Sequence, residues 1–370
     1  MDKKINYLFN PKTIAVIGAS NEKGSVGYNL FANLINSKYQ GKVYPVNIKR
    51  KKIQNVIAYL TIKDVPTKID LAVIAVPAKF VPAVVEECGQ AGVKTAVIIS
   101  AGFKEIGPAG EKLQQTLVEN AHKYGIQILG PNCLGFIRTD ANLNVSFAGK
   151  RILPGKTAFL SQSGALGTAL LDWLGQNNIG YSYFISLGGM ADLDFTDLIE
   201  YLCSDKNTDN ILIYMESLPR GRKFLEIAAK ITASKPIMII KTGRSVAGAR
   251  AAKSHTGSLT GDDQVFSAAF EQAGIIRIDT IEDFFNVSKS IAMQPQPTGN
   301  RLAIVTNAGG VGVIATDALM FYKGELANLN KASMAELNKI LPTSWSHGNP
   351  VDILGDADSK RYSQAIKICL

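Results

Sequence analysis

The chain has 370 residues, 46% hydrophobic and 19% charged, an ordinary balance for a soluble globular protein, and roughly 100–200 residues per domain predicts two or three domains. A formal net charge of +9 invites an anionic partner, but Lys49-Arg50-Lys51-Lys52 is the one dense basic run and two tryptophans offer little stacking surface, so nucleic acid is set aside. The cysteines (Cys88, Cys133, Cys203, Cys369) are too scattered for a CxxC or zinc pattern; a reducing, cytoplasmic setting without a metal site is expected, and no apolar run approaches the ~18 residues of a membrane span.

From residue 13 to 130, short β-branched runs ("TIAVIG", "KVYPVN", "DLAVIAV", "KTAVIIS", "IQIL") alternate with helix-period segments such as "VGYNLFANLINS" and "FVPAVVEECGQAG". Strands alternating with helices predict a doubly wound parallel sheet, and near-continuous apolar strands predict that both faces are covered. After the connector "GKRILPGK" a second α/β unit opens with "KTAFLS" and a helix from about Gly164 to Gln176. The strands "YSYFISLGG", "DNILIYMES" and "KPIMIIKTG" follow, then the loop "KSHTGSLTG", the helix "DDQVFSAAFEQAG", the short strand "IIRI" and the helix "TIEDFFNVSKSIAM". "QPQPTGN" reads as a linker. A third unit begins with "RLAIVTNAGGVGVIATDALM", a strand, a glycine-rich turn and a helix; roughly 70 residues is short for a doubly wound domain, so it is expected to be incomplete or completed by a partner.

Three strand-to-helix turns carry the chemistry. In "VIGASNEKGSVG", Gly18, Gly24 and Gly27 surround a helix start near Ser25, the architecture of a phosphate-binding turn, although the spacing is not GxGxxG. The second strand ends in Val46-Asn47-Ile48-Lys49, where an NAD site would place an acid. Cations there favour a nucleotide with a ribose phosphate, either NADP or coenzyme A. In "AFLSQSGALGTALLDW", Ser161 and Ala165 stand where a nucleophile elbow needs glycine, so the turn reads as a phosphate cradle or an ordinary serine N-cap. "AIVTNAGGVG" repeats that design at Asn307, Gly309 and Gly310. His255, one of three histidines, sits among small polar residues rather than on a packed face, and Glu216 follows a strand at its carboxyl end, where it is either a ligand-facing acid or a surface cap.

Taken together, "TIAVIGASNEKGSVGYN", "VYPVNIK", "DLAVIAVPAKFVP", "VIISAGFKEIG", "ILGPNCLGF", "FLSQSGALGTALLDW", "SLGGMADLDFTDLIEYL", "SHTGSLTG" and "RLAIVTNAGGVGV" resemble, in order and across essentially the whole chain, the α subunit or N-terminal part of the NDP-forming acyl-CoA synthetases. That superfamily includes ADP-forming acetate–CoA ligase and succinyl-CoA synthetase. The resemblance implies a Rossmann-like CoA-binding domain over 1–135, a flavodoxin-like ligase domain over 150–295 and an incomplete second flavodoxin-like domain over 299–370. It makes His255 the phosphorylated histidine and Glu216 its supporting acid. Ser161, Ser163 and Gly164 match one phosphate-binding helix start, and Asn307, Gly309 and Gly310 the other. Gly18, Ser20, Lys23, Ser25, Val26 and Gly27 match the CoA phosphate loop, while Lys49, Pro77, Ser100, Ala101, Gly102 and Asn132 line the CoA site.

The implied reaction is reversible conversion of acyl-CoA, phosphate and ADP or GDP to acid, CoA and ATP or GTP through an acyl phosphate and phospho-His255. Coenzyme A is the substrate. Mg²⁺ and the nucleotide would belong to an ATP-grasp β subunit or fused module, making a hetero-oligomer. Three features depart from the acetate-type pattern: "NIK" in place of "NPK", Gly189 in place of an asparagine, and the short third unit. The acyl group, the nucleotide and the favoured direction stay open. The alternatives are a CoA-sensing region of the kind fused to acetyltransferases, an inactive truncated homologue, or an NADP-dependent oxidoreductase; the last leaves the His255 loop unexplained.

Overall fold

A computed structural model describes residues 4–149, 152–245, 247–248, 262–294, 297 and 299–370. The chain divides into two compact units at 294/295. The first opens with a short helix, α1 (Ile5–Phe9), followed by β1 (Thr13–Ile17), α2 (Val26–Asn36) and β2 (Lys42–Val46). A small hairpin, β3 (Lys52–Ile53) and β4 (Val56–Ile57), precedes β5 (Leu71–Ile74), α3 (Val81–Gln90), β6 (Thr95–Ile98), α4 (Pro108–Tyr124) and β7 (Gln127–Leu129). The main strands form a five-stranded sheet in the order β2-β1-β5-β6-β7, parallel throughout. Chain direction across this sheet reverses between β1 and β5, the position where open α/β sheets leave a crevice at the carboxyl ends of their strands.

The second sheet takes β8 (Gly135–Arg138), β9 (Leu143–Ser146), β10 (Leu153–Ser161), β11 (Gly180–Ser186), β12 (Asn210–Met215), β13 (Ile237–Lys241) and β14 (Ile276–Ile278). Its order is β14-β13-β12-β10-β11-β8-β9, with a parallel core and β8 and β9 added antiparallel beside β11. Its helices are α5 (Gly164–Gln176), α6 (Phe195–Cys203), α7 (Gly221–Ile231), α8 (Asp263–Gln272) and α9 (Ile281–Met293). Here the reversal lies between β10 and β12. The sequence reading assigned no element to residues 136–149; they supply β9 and most of β8, whose strands are too short and polar for a parallel-strand signature.

Period-two alternation explains the layering. Along β1, Ile14 and Val16 enter one core and Ala15 and Ile17 another. The Ile14 side is shared with the second sheet: Val73, Val97 and Leu129 pack in one continuous cluster with Phe136, Tyr183, Ile185 and Ile213. Phe9 of α1 closes it, its ring 5.1 Å from Phe136, 5.5 Å from Tyr183 and 4.8 Å from Tyr201. Asn33 of α2 adds two bonds, donating to Ser146 O at 2.7 Å and Ala148 O at 2.9 Å.

The second unit holds two two-stranded parallel sheets, β15 (Arg301–Leu302) with β17 (Glu325–Leu326) and β16 (Val305–Thr306) with β18 (Val351–Asp352). Its helices are α10 (Gly309–Phe321), α11 (Lys331–Ile340) and α12 (Ser359–Cys369). The expected single strand "RLAIVT" is therefore split, because Leu302 and Val305 pair with different partners. Its core is Leu337, Leu341, Trp345, Val351, Ile353 and Ala365; α10 leaves Val311, Val313 and Ile314 exposed.

Two helical glycines differ in what surrounds them. A Cβ on Gly27 would lie 2.0 Å from Gly18 O, a backbone atom that cannot retreat, whereas one on Gly175 would meet nothing within 4 Å. Gly27→Ala should therefore destabilise the first unit by about 2–3 kcal/mol through overpacking, and Gly175→Ala should stabilise by roughly 0.5–1 kcal/mol. Denaturant titrations followed by circular dichroism check both.

Lys241 ends β13 buried, its ammonium 4.9 Å from the Phe266 ring centre. Burial lowers its pKa to about 8, against the pull of Asp263 and with the push of Arg277. The folded state thus releases this proton before the unfolded chain does, so stability rises with pH from about 8 towards the ordinary lysine value near 10.4. Lys241→Met should lack that rise, read as the wild-type-minus-variant difference in denaturant midpoint on either side of this interval.

Candidate functional site

Both reversal points open on one cavity of about 900 Å³. The first sheet lines it with Val26, with Ala75-Val76-Pro77 after β5, and with Ile99-Ser100-Ala101, Lys104 and Glu105 after β6. The link between the sheets adds Asn132, Cys133 and Leu134. From the second come Gln162, Ser163, Gly164, Ala165 and Thr168 after β10, Gly188 and Gly189 after β11, and Glu216 after β12. Of the residues singled out in the sequence, Val26, Pro77, Ser100, Ala101, Asn132, Ser163, Gly164 and Glu216 thus border one space.

The first turn is held open by its own bonds. Gly18 has φ +93°, and a Cβ there would meet Ala75 O at 2.3 Å. Ser25 caps α2, accepting from Tyr28 N at 3.2 Å while donating to Glu22 O at 2.8 Å, and Ser20 Oγ accepts from Glu22 N at 3.0 Å. Lys23 and Lys49 are exposed. Gly18, Ser20, Lys23, Ser25, Gly27 and Lys49 are not among the residues that line the cavity. Asn47, which the sequence reading passed over, joins the turn to the basic run: it donates to Ala19 O at 2.8 Å and accepts from Lys49 N at 2.8 Å and Arg50 N at 3.0 Å.

Across the cavity, Ser100 Oγ donates to Val76 O at 2.5 Å, and Ser100 O accepts from Asn132 N at 2.9 Å. Asn132 takes the left-handed conformation at φ +56°. Gly102 stands just behind, its N–H donating to Glu105 Oε1 at 2.7 Å. Lys104 is the one cation among the described cavity residues; burial lowers its pKa, and the charges of Glu105 and Glu111 oppose that.

Ser163 caps α5, its hydroxyl accepting from Leu166 N at 3.3 Å, so the helix begins at the cavity wall. The N–H groups of Gly164 and Ala165 have no acceptor within the helix, which makes the wall attractive to an anion. Ser161, expected as part of this phosphate-binding helix start, is fully buried, with its hydroxyl donated to Ser163 O at 2.7 Å, so that hydroxyl shapes the turn. Glu216 is 6% exposed at the end of β12. Tyr214 beside it has its phenol pKa raised, first by burial and further by the Glu216 charge, against a bond to Thr242.

In the second unit, Asn307 is tied to Tyr362, whose hydroxyl donates to Asn307 Oδ1 at 2.9 Å. Gly309 begins α10, and a Cβ on it would sit 2.9 Å from Asp352 Oδ2. An aspartate carboxylate therefore stands beside the helix start expected to take phosphate; Gly310 has nothing within 4 Å of such a Cβ. His255 lies outside the described residues. Among the described residues there is no cluster of three or more metal-ligating side chains, and no helix is long and apolar enough to cross a membrane.

Known proteins resemble the chain along its length. The CoA binding domain family matches residues 12–139, and the succinyl-CoA ligase like flavodoxin domain family matches 154–291. The α subunit of ADP-forming acetate–CoA ligase I from Pyrococcus furiosus is 48% identical over 374 aligned residues, covering 99% of this chain and 80% of the relative. The ADP-forming 4-hydroxybutyrate–CoA ligase of Nitrosopumilus maritimus is 39% identical over 97% of this chain and 52% of its own length. The solved structure of dinucleotide-forming acetyl-coenzyme A synthetase 1 from Ca. Korarchaeum cryptofilum, in complex with phosphate and ADP, superposes with a TM-score of 0.94 at 42% identity, over 98% of this chain and 78% of that one. With nearly half of its residues identical to the P. furiosus α subunit over 99% of its length, the chain belongs to the ADP-forming acyl-CoA synthetases, as an α-type chain of the acetate–CoA ligase kind.

Proposed function

We propose that this chain binds acyl-CoA and phosphate in the cavity, forms an acyl phosphate, and passes the phosphoryl group through His255 to ADP on an ATP-grasp partner. One observation carries the reading: residues of the CoA-site segments (Val26, Pro77, Ser100, Ala101, Asn132) border the same cavity as the Ser163 helix start and Glu216. Gly18, Ser20, Lys23, Ser25, Gly27, Gly102 and Lys49 are proposed to hold the CoA phosphates and the loop that receives them. Acetate is the reference acyl group, after the P. furiosus relative. The domain limits at 135, 150, 295 and 299 and a cytoplasmic location are part of the proposal.

In the acyl-CoA-consuming direction, a phosphate oxygen attacks the thioester carbonyl, the C–S bond breaks and CoA leaves as thiolate. The N–H groups at the start of α5 favour the anionic phosphate, while Asn132 lies close enough to orient the acyl end. A ring nitrogen of His255 then attacks phosphorus and the carboxylate departs, leaving phosphohistidine and free acid. Glu216, ionised, would accept the other ring N–H and hold the imidazole in its nucleophilic tautomer. Asn307, Gly309 and Gly310 are proposed to support the phosphoryl group at a later stage. Mg²⁺ would accompany the nucleotide on the partner and supply charge neutralisation there. Rate enhancement on this chain comes from positioning and charge stabilisation.

Incubation with acyl-CoA and radioactive phosphate should give an acid-labile, base-stable phosphoprotein. His255→Ala should abolish the label, and label persisting in that variant would overturn the assignment. Glu216→Gln should lower turnover with the partner by on the order of 100-fold while leaving CoA affinity unchanged in a binding titration.

A further inference from the structure

Gln162 follows the last residue of β10 and precedes the cap of α5. Its side chain is 7% exposed and spans the reversal point between β10 and β12. Oε1 accepts two backbone N–H groups at once, from Glu216 at 2.9 Å and Ser217 at 3.0 Å, and Nε2 donates to Ser217 Oγ at 2.8 Å. The amide orientation is unambiguous, because two backbone donors converge on one of its ends. Its own N–H continues the ladder by donating to Tyr214 O at 3.2 Å.

Beyond the Ser161–Tyr214 pair the two strands part, and the buried N–H groups of residues 216 and 217 need other acceptors. One glutamine supplies both. Because Gln162 directly precedes Ser163, the backbone that carries Glu216 is tied to the backbone that starts α5. A hydrophobic side chain of similar length fills the space without making the tie; a serine or asparagine is too short to reach.

We propose that Gln162 is a positioning residue: it sets the Glu216 carboxylate at a fixed distance from the α5 start, and it affects turnover only through Glu216. The proposal rests on the role given to Glu216 above.

The test uses the complete enzyme with its nucleotide-binding partner, acyl-CoA, phosphate and ADP, and reads steady-state turnover together with single-turnover phosphorylation. Gln162→Met should lower kcat about 10-fold or more with KM for acyl-CoA within about twofold. Gln162→Glu can still accept both N–H groups, so it should keep most turnover. Its new carboxylate beside Glu216 should move the acid limb of the kcat–pH profile to higher pH. The double variant Gln162→Met with Glu216→Gln should be no slower than Glu216→Gln alone. A double variant whose loss equals the product of the two single losses, or an unmoved acid limb in Gln162→Glu, overturns the proposal while leaving the role of Glu216 intact. Full turnover in Glu216→Gln overturns both. If Gln162→Met fails to fold, the pH profile of Gln162→Glu decides.

Discussion

The first unit depends on one seam of apolar packing between its five-stranded parallel sheet and its seven-stranded mixed sheet. Phe9, Phe136, Tyr183 and Tyr201 meet ring to ring, and the inward faces of β1, β5, β6 and β7 share their core with β10 to β12. Aromatic edge-to-face contacts prefer particular angles, so this seam fixes orientation as well as burying area. A parallel sheet exposes all its strand ends, and all the following helix starts, on one edge. Packing the two sheets through this seam brings both of those edges to the same cavity.

Each sheet then contributes its reversal point. Between β1 and β5 lie the glycine-rich turn and the Ala75–Pro77 segment; between β10 and β12 lie Ser163 and Glu216. A thioester delivered from the first crevice would meet the helix start that forms the wall of the second within the same cavity. That arrangement suits a reaction in which an acyl group is handed from sulfur to phosphate oxygen, where hydrolysis is the competing loss.

The distribution of charge is less simple than the net value of +9 suggests. Lys23 and Lys49 stand exposed around the first turn, while the described cavity residues include one lysine and two glutamates. Inside, the helix start at Ser163 offers backbone N–H groups and a helix dipole beside Lys104, and the dipole carries no proton to lose. Outside, long-range attraction by lysines raises the local concentration of a polyanionic ligand.

Much of this was legible in the residues. The alternation of β-branched runs with helix-period segments located the parallel strands, because strands covered on both faces must be apolar throughout. The glycine- and serine-marked turns located the helix starts, because only certain residues tolerate close backbone approach or cap an open helix end. Of the residues those turns single out, Ser163 and Gly164 line the cavity, as does Glu216, read from its strand end; Val26, Pro77, Ser100, Ala101 and Asn132 line it too and were reached through the family resemblance. Other features were not legible. The antiparallel pair β8–β9 has no long apolar run, and its place depends on the free edge of β11. Ser161 and Ser163 look equivalent in "SQSG", yet the strand ends at Ser161, whose hydroxyl is buried against Ser163 O, while Ser163 lies beyond the strand and caps the helix. Asn47 and Gln162 act through contacts to residues 28 and 54–55 positions away, and no local pattern encodes a partner at that distance. The sequence by itself determined where the parallel strands of the two large sheets run, where helices start at glycine- and serine-marked turns and to which family the motifs point, since those follow from local backbone preference and periodic burial. Only the tertiary structure decided that both crevices open on one cavity and that a single buried amide ties Glu216 to the start of α5, since both depend on how two sheets distant in sequence pack.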